Sequence, residues 1–132
     1  MPGNRRPSQV ELDLRTTGNV FVSLGDMRGR IVVLFLFATF DDFSLAELRP
    51  LSAFVRYHPE VDVVGIAVQP GADQFAAAWE GSLDPPFLVT YDPEERIALG
   101  TTDLGALDAV PTIIVLDAEG MIRARHVGFA SR

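Results

Sequence analysis

The sequence predicts an α/β domain: a mixed β-sheet with a parallel βαβ centre, helices on both faces and a closing hairpin. Three observations carry this. Residues 31–37 (Ile-Val-Val-Leu-Phe-Leu-Phe) form an uninterrupted apolar run, rich in β-branched and aromatic residues, as in a strand covered on both faces. Val61-Asp62-Val63-Val64-Gly65-Ile66-Ala67-Val68 reads as a second buried strand. Between them Leu45, Leu48, Leu51, Phe54 and Val55 recur at helical spacing, which predicts a helix over 44–57.

The remaining elements follow in order. Residues 1–8 are polar, with two prolines and two arginines, and are expected to form a loose tail before a single domain over 9–132. Val10-Glu11-Leu12-Asp13-Leu14 and Val20-Phe21-Val22-Ser23-Leu24 alternate apolar and polar around Thr16-Thr17-Gly18-Asn19, the pattern of a β-hairpin with one solvated face. Residues 25–30 read as a turn or short helical segment. Residues 72–79 read as a short helix bounded by Gly71 and Gly81. Residues 87–90 read as a strand. Residues 93–99 read as a helical turn, with Asp92 as N-cap and Pro93 in its first position. Residues 112–117 and 121–127 are expected to pair around Ala118-Glu119-Gly120.

Composition narrows the function. The chain of 132 residues is 48% hydrophobic, enough for a real core. A net charge of −7 argues against nucleic acid or an anionic membrane as the main partner. All 11 basic residues are arginine, so no lysine is present for Schiff-base chemistry. There is no cysteine, hence no disulfide and no thiol nucleophile. The N-terminus lacks the apolar stretch of a signal peptide, and the longest apolar run is too short to span a bilayer. As written the chain is expected to be cytoplasmic, or to work in the cell envelope if a signal or anchor was removed.

Four segments resemble the thioredoxin-like superfamily, in its TlpA/ResA and peroxiredoxin-like branch. Gly29-Arg30-Ile31-Val32-Val33-Leu34 is similar to the family's entry into the central strand. Ala38-Thr39-Phe40-Asp41-Asp42-Phe43-Ser44 stands where the family has Ala-Thr-Trp-Cys-x-x-Cys and then a helix. Residues 63–68 resemble its next strand. Val110-Pro111 followed by residues 112–120 resembles its cis-proline loop, strand and Asp-x-x-Gly turn. The resemblance spans about residues 9–128. It implies a thioredoxin-like fold, with Phe40 in the place of the tryptophan and Asp41 and Ser44 in the places of the two cysteines. It also implies a cis bond before Pro111, facing the motif. Pro50 falls one place later than the family's usual helix proline. The family adds a final helix that is expected to be missing here, which would leave a sheet face to be covered by a partner or by a second copy as a homodimer.

Without thiols, the degenerate positions Asp41 and Ser44 lose the family's catalytic role. Serine needs a paired base to act as a nucleophile. His58 is expected at the far end of the helix, roughly 20 Å away, and nothing directs His126 to Ser44. Ser44-Leu45-Ala46-Glu47 has the form of a capping box, with Phe43 and Leu48 as a hydrophobic staple. Asp41 and Asp42 add favourable negative charge at the helix start.

These readings lead to an expected redox-inactive protein with no cofactor and no resident metal. It would bind a peptide or protein through Phe40, Asp41, Asp42, Phe43, Val110 and Pro111, the proline loop offering its backbone for strand addition. The alternative is a non-thiol enzyme, with or without an assisting metal, using Asp41, Asp42 and Glu47. Trp79 and His126 read as packing and solvated-strand residues.

Overall fold

The computed structural model describes residues 9–128, so the tail expected over residues 1–8 lies outside the described residues. In chain order come β1 (Asp13–Thr16), β2 (Phe21–Ser23), a 3-10 turn (Leu24–Met27), β3 (Val32–Phe37) and α1 (Asp42–Tyr57). Then follow β4 (Asp62–Ala67), α2 (Ala72–Leu83), β5 (Leu88–Tyr91), α3 (Arg96–Leu99), β6 (Thr112–Leu116) and β7 (Ile122–Val127). The strands form a seven-stranded sheet in the order β2-β1-β5-β4-β3-β6-β7. β3, β4 and β5 are parallel, and the strands outside them pair antiparallel. This is the thioredoxin-like arrangement.

The apolar run of β3 is continuous because both of its faces are buried. Val33, Phe35 and Phe37 point to one side, where they pack with Leu51 of α1 and with Ala76 and Trp79 of α2. Val32, Leu34 and Leu36 point to the other, where they meet Leu24, Ile97, Leu104 and the extended segment that carries Val10 and Leu12. The two long helices therefore share one face. Two crossovers of the same hand, each moving one strand further along the sheet, require this. The opposite face receives the 3-10 turn and α3.

Several element boundaries differ from the sequence-based expectation. The hairpin pairs Leu14 with Val22, so its strands lie closer to the turn than the alternating pattern suggested. Val10 and Leu12 are buried as extended chain instead. α2 runs through Gly81 to Leu83, and Asp84, in a left-handed conformation, ends it. Asp92 is not the N-cap of α3; that position belongs to Glu95. Asp92 still serves the turn, accepting from the Ile97 N–H at 2.7 Å and from the Glu94 N–H at 3.3 Å.

The β6–β7 turn is organised by Asp117. Its carboxylate accepts from the Glu119 and Met121 N–H groups at 2.9 and 3.0 Å and from the Arg123 Nε–H at 2.6 Å. The Met121 N–H first, with the Arg123 guanidinium and the Glu119 N–H, holds its carboxyl below the ordinary value, against an opposing push from desolvation. β7 forms one edge of the sheet, and Arg123, Ala124, Arg125, His126 and Val127 on it are exposed. On the helical side Ile113, Val115, Phe54 and Val55 are half-buried. Leu45 and Tyr57 of α1 are 48% and 81% exposed.

Candidate peptide-binding groove

The site lies where β3 turns into α1. Asp41 is the N-cap of α1, and its Oδ2 accepts from the Ser44 N–H at 2.6 Å. Ser44 is 1% exposed, and its hydroxyl accepts from the Ala38 N–H at 3.3 Å. The expected capping box at Ser44 is thus corrected: the helix begins at Asp42 and a carboxylate caps it. A charged acceptor outcompetes a hydroxyl here, because charge-assisted bonds are stronger and negative charge is favoured at a helix N-terminus. The Ser44 hydroxyl is left to tie the first turn of α1 to the end of β3. Glu47 lies buried on α1 at 4% exposure.

The expected staple does not form either. Phe43 is 62% exposed. With Asp41 as N-cap the staple positions fall on Phe40 and Leu45, and both are exposed. Asp41→Ala should cost about 1 kcal/mol, within the range of roughly 0.5–2 for lost caps, while Asp41→Asn should retain most of it. Urea denaturation of the two variants checks this. Equal losses would mean that the charge, and not the acceptor atom, holds the helix start.

Across the turn the Val110–Pro111 peptide bond is cis. Thr112 Oγ1 donates to the Ala109 carbonyl at 2.6 Å and the Gly128 N–H donates to the Pro111 carbonyl at 2.8 Å, so the loop is pinned on both sides of the proline. The N–H and C=O of Val110 take no hydrogen bond among the described residues. Between this loop and Phe40 runs a largely apolar groove of about 320 Å³, lined among others by Ala38, Val68, Gln69, Leu107 and Val110. Phe40 forms part of its wall and is 76% exposed.

Of the expected binding residues, Phe40 and Val110 line this groove, Asp41 caps α1 just after Phe40, and Pro111 follows Val110 across the cis bond. Asp42 and Phe43 lie on the first turn of α1, exposed to solvent. Gln69 was not anticipated. It is 6% exposed, its Nε2–H donates to Thr39 Oγ1 at 2.6 Å, and its Oε1 is enclosed without a partner. One signal was available: Gln69 lies just past the carboxyl end of a parallel strand, where ligands of α/β sheets bind.

The other candidates lie elsewhere. His58 caps the far end of α1, stacks on Phe54 with ring centroids 4.5 Å apart and pairs with Glu60 at 3.2 Å. His126 is exposed on β7 opposite Ile113. Trp79 packs on Phe37 with centroids 4.4 Å apart. A larger cavity of about 480 Å³ lies between the N-terminal segment and the β5–α3 loop, lined by carboxylates that include Glu11, Asp92 and Asp103. Asp92 and Asp103 there serve the fold, Asp103 accepting from the Glu11 N–H at 2.9 Å. Among the described residues no three His, Asp or Glu side chains are placed to hold a metal ion, and no helix is long and apolar enough to cross a membrane.

A family model described as Redoxin matches residues 1–132. Solved structures similar to this chain include StoA from Bacillus subtilis, with 16% identity over 95% of this chain and 93% of that one, at a TM-score of 0.73. A putative thiol:disulfide interchange protein DsbE from Chlorobium tepidum shares 22% identity over 93% and 86%, at a TM-score of 0.71. MTB dsbF, in its mixed oxidized and reduced forms, shares 18% over 96% and 91%, at a TM-score of 0.78. At these identities the likeness shows the fold. No curated protein matches the chain by sequence.

Proposed function

The chain belongs to the redoxin family yet holds no cysteine, and from that premise we propose that it is a redox-inactive member which binds an extended peptide or protein segment at the former active-site edge. The observation that carries this is the pairing of an exposed aromatic ring with a backbone N–H and C=O that take no hydrogen bond among the described residues, across one apolar groove. Phe40 stands 76% exposed beside it, free to meet a ligand. Val110 offers one N–H and one C=O, the minimum for a short strand addition. Aromatic side chains in such positions anchor interfaces.

Two observations support the binding reading over carboxylate chemistry at Asp41, Asp42 and Glu47. Asp41 Oδ2 is committed to the Ser44 N–H, and Glu47 is buried on the helix.

The test is a selection from a displayed octapeptide library, followed by affinity measurements on the enriched peptides. Phe40→Ala should weaken binding by roughly 30-fold or more, as expected for truncating an anchor worth at least ~2 kcal/mol. Tyr57→Ala, at the far end of α1, should leave it unchanged. Equal affinity for wild type and both variants, or a library that yields no binder, overturns the reading.

A further inference from the structure

We infer that the groove selects extended segments with an apolar anchor side chain flanked by lysine or arginine, and that Gln69 reads the backbone of the segment; this rests on the peptide-binding reading above. Asp108 is the charged residue among those that line the groove, and no basic side chain lines it. Asp41 and Asp42 directly follow Phe40 in the turn, and the whole chain carries a charge of −7. An apolar slot with an acidic rim suits an apolar side chain between cations. Charges as exposed as Asp42 and Asp108 act mainly on specificity and encounter rate, and salt screens them. A volume of about 320 Å³ is small among ligand sites and suits one anchor side chain rather than a folded element.

Gln69 supplies the second, independent observation. Its amide holds Thr39 through Nε2, while Oε1 lies enclosed in the groove wall with no donor. A buried acceptor without a donor is unfavourable, and the terminal torsion of a glutamine is soft. A backbone N–H entering beside Val110 meets that need after a small rotation of the amide. The segment is then held by the Val110 backbone on one side and the Gln69 side chain on the other, with its apolar side chain against Phe40 and Leu107.

The test uses ¹⁵N-labelled full chain and two pools of blocked heptapeptides. Both pools have Leu, Val or Phe at the centre; one has Lys fixed on either side, the other Glu. The lysine pool should shift the Phe40 and Val110 amide signals and the Gln69 side-chain NH₂ signals, with roughly tenfold tighter binding than the glutamate pool. That preference should shrink near 0.5 M salt, and also in Asp42→Asn/Asp108→Asn, which spares the cap at Asp41. Equal shifts at the groove from both pools overturn the charge selection and leave peptide binding standing. Gln69 signals that stay still while Phe40 and Val110 move overturn the role of Gln69, whatever a Gln69→Leu variant does to folding. Shifts absent from the groove with both pools overturn the inference and the reading beneath it.

Discussion

Phe37→Ala is expected to destabilise the protein by about 3–5 kcal/mol, a large share of the ~5–15 kcal/mol typical of a domain. Phe37 is fully buried at the end of β3. Its ring lies 5.1 Å from that of Phe35, nearly parallel, and 4.4 Å from that of Trp79. Truncation removes the contact that ties the central strand to α2 and leaves a cavity under both long helices. The melting temperature should fall by roughly 10–20 °C. The loss should also reach the groove, since the Phe37 carbonyl accepts from the Val68 N–H at 2.9 Å, next to Gln69. A fall of only a few degrees would mean that α2 closes down on the space, and that the aromatic stack is not what holds this layer.

Gly65→Val should be nearly as damaging, for the opposite reason. A Cβ built on Gly65 would lie 2.8 Å from Phe87 Cε1 and 3.3 Å from Phe37 Cε1, before the two further methyl groups of valine are added. Gly65 sits in β4 between Phe35 of β3 and Val89 of β5, so the strand cannot shift aside without breaking both ladders. Overpacking of this kind costs about 1–3 kcal/mol, and a two-methyl overlap belongs at the upper end. The double variant Gly65→Val/Phe87→Ala should be more stable than the sum of the two single losses, because the second change makes room for the first. Additive losses in a thermal-melt cycle would place the strain elsewhere.

The central strands and the two long helices were legible in the sequence because each is dictated by burial. No polar alternative exists for the residues of β3, and the spacing of Leu48, Leu51, Phe54 and Val55, which pack on the sheet, admits one period. The start of α1 was misplaced for a local reason. Asp41 and Ser44 are both competent caps, and the choice depends on the Ala38 N–H that claims the serine hydroxyl, a contact made only in the folded turn. The end of α2 was misplaced because Gly81 is tolerated inside a helix whose termination depends on the backbone at Asp84. The hairpin shifted because Val10 and Leu12 are buried as extended chain against the sheet face that carries the 3-10 turn and α3, not paired within the hairpin. The placement of Phe40 and Val110 beside one groove followed from the position of the motif. The exposure of Phe40 was not readable, since a phenylalanine after a buried strand is equally compatible with a core position. For Gln69 the sequence offered only its place past the end of β4, because the enclosure of its Oε1 arises in the folded turn.

The charged outer strand also bears on how the molecule behaves in concentrated solution. Among the described residues no strand pairs with the outer edge of β7, and an edge of six residues is a template on which a second chain could continue the sheet. On β7 that template carries Arg123, Arg125 and His126. Antiparallel self-pairing about Ala124 would set Arg123 opposite Arg125. Each added molecule would stack like charge against like charge while leaving guanidinium groups short of water. At the sheet margin, therefore, two arginines that take no part in the groove oppose continuation of the sheet by a second copy.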